Sequence, residues 1–348
     1  MEWTSDVAAG TWIRESLDPG LGTSMHGVVP RGFAAYARIF HPAHAGRLPG
    51  RAMPTPDEWV QMRDGERERL SALIRYEPTT WAETAAAFGT RMHPEAQWNR
   101  LVRSRDDWRR VRAPDGREFD APREGHLDPD LLATIAGHLA GHTGTPGDGY
   151  FGVWNGWGGL LGFYGETPSR TFLQVTRDDT SDAQGGQADA ASDDALRRAA
   201  ESALLSQHNA MLGRSIHDSF NTVLGRPSWQ PGILPDAISS GAQLELPGRA
   251  HILFRGGISE LTRPDWPSHV PWRDVEAEVR GFAPDPESPS LIWPADRAWV
   301  VVTEVDFDST IVGGSAEVIA ELCGDPALEA LPLGAGADLT WDGDEVNR

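Results

Sequence analysis

Over residues 32–40, GFAAYARIF, Phe33, Ala35, Ala37 and Ile39 alternate with Ala34, Tyr36, Arg38 and Phe40, the period of two expected of a strand. His41-Pro42 ends that run. Residues 150–155, YFGVWN, follow the turn-rich GTPGDG, and residues 250–255, AHILFR, lie between Gly248 and Gly256-Gly257, so both read as strands. The longest apolar run, residues 298–307, AWVVVTEVDF, predicts a central strand covered on both faces. Its period places Val301, Val305 and Phe307 toward the main core and Val300 and Val302 toward the opposite face.

Helices are announced by their ends. Thr80-Trp81-Ala82-Glu83 has the form of a capping box, in which the threonine oxygen accepts from an early amide and the glutamate reaches back, and Gly89 closes that helix. Asp128-Pro129 opens another that ends near Gly141, and Ser192 caps a long one through Leu212. Ser215 to Leu224 and Asp325-Pro326 to Leu331 are shorter candidates. Strands and helices do not alternate strictly, which favours an α+β fold with a mainly antiparallel sheet and flanking helices over a doubly wound one.

The pattern breaks at residues 178–194, DDTSDAQGGQADAASDD, where no bulky apolar residue remains, so this stretch is expected to be a mobile acidic loop. Strand-like segments on both sides make it an insertion in one domain spanning residues 1–348; the alternative is two domains, 1–177 and 195–348. Residues 338–348 are polar and expected to fray.

Charge narrows the partners. With 51 acidic and 31 basic side chains the chain carries a formal −20, a field that repels nucleic-acid phosphates and anionic membrane surfaces. All 31 basic residues are arginine. Without lysine, a Walker phosphate loop, a pyridoxal Schiff base and the phosphate-holding lysine of a protein kinase are all excluded. Cys323 is the only cysteine, so an intramolecular disulfide and a cysteine-cluster zinc site are excluded too. The N-terminal Met1-Glu2-Trp3-Thr4 lacks signal-peptide character and no apolar run reaches a membrane span, which gives a cytoplasmic expectation.

The sharpest candidate chemistry is Glu304, Asp306 and Asp308, which an unbroken strand would put on one face. Converging carboxylates repel unless a divalent cation, arginines or open solvent relieve them, so the trio is a candidate site for Mg²⁺ or Ca²⁺; the sequence asks for no other cofactor. Gly313-Gly314-Ser315 before a helix could admit an anion, but it matches no phosphate-loop pattern and reads first as a turn with a serine cap. The pairs His41/His44 and His138/His142 have metal-compatible spacing without the acidic or cysteine partners that would complete a site. GWGGLLG, residues 156–162, has Leu161 at its sixth position and does not open a helix, so it is not a dinucleotide fingerprint. Cys323 lies on an apolar helix face and reads as core.

Fourteen tryptophans are many for 348 residues. Trp154, Trp157, Trp266 and Trp272 stand beside or near glycine or proline and are the candidates to line a groove for a peptide, an aromatic molecule or a sugar.

The segments VVPRGFAAYARIFHP, GYFGVWNGW and WPADRAWVVVTEVDFDSTIVGGS together resemble a family of uncharacterised proteins from GC-rich bacteria. The resemblance implies one family-wide unit and carries no activity, cofactor or catalytic residue. The sequence therefore supports a non-enzymatic acidic binding protein engaging a protein or small molecule, as an immunity protein masks a basic toxin. The alternative is a divalent-metal hydrolase built on Glu304, Asp306 and Asp308.

Overall fold

The computed structural model describes residues 1–19, 24–166, 168–170 and 227–348. The expected acidic loop at 178–194 and the expected helices at 192–212 and 215–224 lie outside them. The chain divides into two compact units, one made of residues 1–154, 243–266 and 287–348, the other of 155–242 and 267–286. The first unit takes both ends of the chain, and no cut at 177 or 195 separates it from the second.

The fold is α+β, with antiparallel pairing in every sheet of the described residues. The first unit is built on β1 (Glu2–Trp3), β2 (Ala35–Phe40), β7 (Gly149–Trp154), β10 (Leu244–Leu246), β11 (Arg249–Gly256), β12 (Leu291–Pro294), β13 (Val300–Val302), β14 (Ser309–Gly314) and β15 (Ala330–Leu333). They form one sheet in the order β1-β11-β7-β12-β13-β14-β2-β15, with β10 also paired to β11. Three of the four strands expected from the sequence appear within two or three residues of their limits.

The fourth is shorter than its apolar run. It is central, paired to β12 and β14, but ends at Val302, and residues 303–308 form the loop of the β13–β14 hairpin. The face assignment changes with it. Val300 and Val302 join Leu253, Leu291, Trp293, Ile311 and Tyr36 in one cluster, and Phe307 packs against the same cluster. Val301 points the other way, beside Ile292 and Val312. All three valines are buried, as a strand covered on both faces requires.

The Ala316–Gly324 helix packs on β2, β14 and β15 and against the Pro129–Ala140 helix. Ser315 caps it by accepting from the Val318 amide. Gly313 and Gly314 are strand residues, not a turn. A Cβ on Gly313 would sit 2.7 Å from the Phe33 ring, and one on Gly314 would sit 2.8 Å from Val318, so the glycines admit close packing on both faces. His138 and His142 bond to Asp325 and Glu321, pinning the two helices instead of pairing as metal ligands. Residues 326–331 are not helical, because their apolar positions feed edge strand β15.

From β2 the chain runs through His41-Pro42 into a second sheet, β3 (Ala43–Arg47), β4 (Arg75–Thr79), β5 (Arg110–Arg112) and β6 (Glu118–Asp120), in the order β4-β3-β6-β5. Its core gathers Phe40, Ala45, Trp81, Phe88, Trp98 and Phe119. The Trp81–Phe88 helix starts as its cap predicts, with Thr80 accepting from the Glu83 amide and Gly89 in the left-handed region at φ 65°. The reach back by Glu83 is replaced: Glu329 accepts from the Trp81 and Ala82 amides.

Residues 338–348 do not fray. Asp344 is fully buried and accepts from the Gln97 amide, from Asn347 and from His93, tying the segment to the first unit. In the second unit β8 (Phe163–Gly165) pairs with β9 (Ser228–Gln230), and Asp274 caps the short Val275–Val279 helix. No helix among the described residues is long and apolar enough to cross a membrane.

Val301→Asp places an unpaired charge between two covered faces and is expected to destabilise the protein by roughly 4 kcal/mol or more. Far-ultraviolet circular dichroism during urea unfolding measures it; a variant as stable as the parent would put β13 at the surface.

Candidate functional site

Arg38 is the centre of the best-formed site. Alternation on β2 turns it toward the Val302 and Ile311 face of the sheet, where its side chain is 2% exposed. Its Nε donates to Ser309 Oγ at 2.8 Å, its Nη1 to the carbonyls of Ala96 at 2.7 Å and Pro94 at 3.1 Å, and its Nη2 to Asp308 Oδ1 at 3.3 Å. Its guanidinium lies 4.7 Å from the Phe40 ring centre and 5.5 Å from that of Trp81. Four acceptors and two aromatic faces thus offset the cost of burying a cation.

The hairpin loop 303–308 brings Asp308 to this arginine, while Glu304 and Asp306 pair with another. Arg249 at the start of β11 donates to Glu304 at 3.0 Å and also pairs with Asp306. The three carboxylates therefore do not share the face that an unbroken strand would have given them. Among the described residues no three histidine, cysteine or acidic side chains are grouped to hold a metal ion. Sequence reasoning missed this because it continued the strand period past Val302, where the backbone turns.

A fourth carboxylate joins Asp308 instead. Gly125, at φ 66°, donates its amide to the Phe307 carbonyl at 2.8 Å, and a Cβ there would lie 2.5 Å from the Val305 carbonyl oxygen. Only glycine allows that approach. It lays residues 122–126 on the hairpin loop, so that Glu124 lines the same cleft as Asp306 and Asp308. His41 secures the seam from within, with one ring nitrogen on the Arg123 carbonyl and the other on Thr310 Oγ1, both at 2.9 Å. Burial lowers its pKa to about 4, so it is neutral, while His44 is exposed on β3; the two do not form a metal pair.

The cleft has a volume of about 280 Å³, and Trp98, Trp108, Trp341 and Phe307 are the aromatic part of its wall. Trp108 and Trp341 meet edge to face with ring centres 5.3 Å apart. The docked C-terminal segment supplies Trp341, Leu339 and Thr340. A second cavity of about 470 Å³ shares Trp108 and Glu124 with it. Neither Trp108 nor Trp341 has a neighbouring motif that marks it in the sequence; their positions follow from the tertiary path alone.

The tryptophans singled out from sequence are placed differently. Trp266 and Trp272 are each 1% exposed, so they are packed in the interior instead of lining an open groove. Trp154, half-buried at the end of β7, lies under the Arg249 guanidinium at 5.4 Å. Trp157 is half-buried in the second unit.

The cleft is rich in acceptors. Among the described residues Glu124 makes no hydrogen bond or ion pair, and Asn99 Oδ1 is buried without a partner. Burial pushes the Glu124 carboxyl above its ordinary range, the charges of Asp308 and Asp306 push it further, and Arg109 opposes them. Burial likewise raises Asp308, against the pull of Arg38. Asp308 is paired with Arg38 and Asp306 with Arg249, so Glu124 is the carboxylate of the cleft left without an ion pair among the described residues.

Asp308→Asn leaves a buried guanidinium without its counter-charge and is expected to lower stability by about 3 kcal/mol in urea melts. Glu124→Gln acts in the opposite direction. A carboxyl raised in the folded state favours folding below its unfolded pKa, and that contribution is lost as the pH rises through the raised value. The Glu124→Gln protein should therefore melt above the parent at neutral pH, with the two curves converging toward about pH 3.5. A difference independent of pH would show that Glu124 is freely solvated.

Compared with known proteins, the chain matches no family model, no curated protein and no solved structure, so the chemistry of the cleft stands on its own geometry.

Proposed function

We propose that this protein is a non-catalytic binding protein whose acid-lined cleft takes a small organic cation carrying several N–H donors, such as an alkyl guanidinium or amine. The observation that carries this reading is Glu124: a half-buried carboxylate with no hydrogen bond or ion pair among the described residues, in a cleft that Asp308, Trp108 and Trp341 also line. A bound cation would satisfy the acceptors, relieve the repulsion that raises Glu124, and meet the π faces of Trp108 and Trp341. The formal charge of −20 adds a long-range attraction for such a ligand. The single thiol, Cys323, suits a reducing cytoplasmic setting.

Metal-dependent hydrolysis has less support. It would need Glu304, Asp306 and Asp308 to converge, whereas Arg249 holds the first two and Arg38 the third.

Isothermal titration calorimetry with agmatine, choline and xylose tests the reading. Agmatine should bind at submillimolar concentration and choline more weakly, since it has no N–H donors, while xylose should give no heat. Glu124→Gln should weaken agmatine by roughly tenfold, the loss of one charge-assisted hydrogen bond. Tighter binding of xylose than of agmatine, or no heat from any of the three, would overturn it.

A further inference from the structure

Although the chain as a whole is acidic, one cavity of the first unit is lined by arginines. Its volume is about 460 Å³ and Arg91, Arg100, Arg103, Arg105 and Arg348 border it, with no acidic residue in its lining. Asn99 borders this cavity as well as the acid-lined cleft.

The arginines differ in what already holds them. Arg100 and Arg105 both pair with Asp342, so two cations share one carboxylate, and Arg348 pairs with Glu345. Arg91 and Arg103 have no ion-pair partner among the described residues; Arg103 donates only to the Gly89 carbonyl, at 3.0 Å. Five guanidinium groups thus face two neutralising carboxylates. Arg100 also keeps a buried Nε–H with no acceptor. Buried donors are rarely left unmet, and one beside uncompensated cations asks for an anionic acceptor.

Backbone conformation adds to the picture. Arg103 sits at φ 54°, in the left-handed region that a side chain of its size rarely adopts, just beyond the Trp98–Leu101 helix. An asparagine or glycine would meet that turn at lower cost. The strained position is filled by a residue whose guanidinium borders the cavity. The opposite wall is the docked C-terminal segment: Asn347 accepts from the Arg91 amide and donates to its carbonyl, fixing the backbone that carries Arg91.

We propose that this arginine-lined cavity binds a small oxyanion of two or more negative charges, of the phosphate or phosphate-ester class. Guanidinium groups match the oxygens of a phosphoryl group in pairs, and the excess of positive charge calls for a dianion or more in preference to a single carboxylate. A nucleic acid or another extended polyanion does not fit, because its charges would reach past the cavity into the −20 field, whereas a small ion inside the cavity interacts mainly with charges within a screening length of about 8 Å at physiological salt.

Calorimetry on the full chain at about 0.15 M ionic strength, with inorganic phosphate, pyrophosphate, glycerol 3-phosphate and acetate, tests the assignment. Pyrophosphate should bind more tightly than phosphate, and acetate should give no heat. Glycerol 3-phosphate bound more tightly than phosphate would identify an ester as the occupant; the reverse would identify the free anion. Arg91→Gln and Arg103→Gly should each weaken pyrophosphate by roughly fivefold. Both should leave the melting temperature close to the parent's, since Arg91 has no ion pair to lose and glycine suits the left-handed turn. No heat from pyrophosphate at millimolar concentration, or binding that neither variant changes, would overturn the proposal.

Discussion

A cation inside the main sheet is the constraint on which the first unit depends. Arg38 cannot shed its charge, so folding must supply acceptors around it before the apolar faces of β2 and β14 can close. Those acceptors come from distant parts of the chain: Ser309 and Asp308 from the β13–β14 hairpin, and the carbonyls of Pro94 and Ala96 from the segment before the Trp98–Leu101 helix. The arginine lies against Phe40 and Trp81 of the second sheet's core, and its needs fix where the hairpin loop lies. Replacing it by an apolar side chain would leave Asp308 without its counter-charge, so the pair is best understood as specifying one arrangement.

The cleft follows from that arrangement. Once Asp308 is drawn to Arg38, the loop presents its backbone to Gly125, and Glu124 enters as a carboxylate beside another carboxylate. Local propensity does not ask for this. The repulsion persists because the contacts that create it, the Gly125–Phe307 hydrogen bond and the His41 bridge, serve the packing of the seam. A protein with 51 acids and 31 arginines has many ways to pair its charges. Glu124 on one side of Asn99 and the partly compensated arginines on the other differ from the other unpaired charges in that each lines a cavity.

The docked C-terminal segment serves both places. Asp344 is pushed up by burial, yet hydrogen bonds from Asn347, Gln97 and His93 outweigh that and hold it below the ordinary carboxylate range. This anchor sets Trp341 against Trp108 on one side and Asn347 against Arg91 on the other. Segments that are polar in composition can still be firmly held, because a buried carboxylate with several donors contributes as much as a modest apolar contact.

What the sequence determined by itself is local and periodic. Alternation found β2, bounding turn residues found β7 and β11, the Asp128-Pro129 and Ser315 caps found the starts of two helices, Gly89 found a helix end, and the mixture of elements gave an antiparallel α+β fold. These are read correctly because each depends on residues a few positions apart. The tertiary structure decided the rest: that β13 stops at Val302, that Glu304 and Asp306 go to Arg249 while Asp308 goes to Arg38, and that Trp266 and Trp272 are interior while Trp108 and Trp341 line a cleft. The physical reason is the same in each case. Charge pairing and burial are settled by whichever groups the fold brings together, here separated by as many as 270 positions along the chain, and no local pattern encodes that distance.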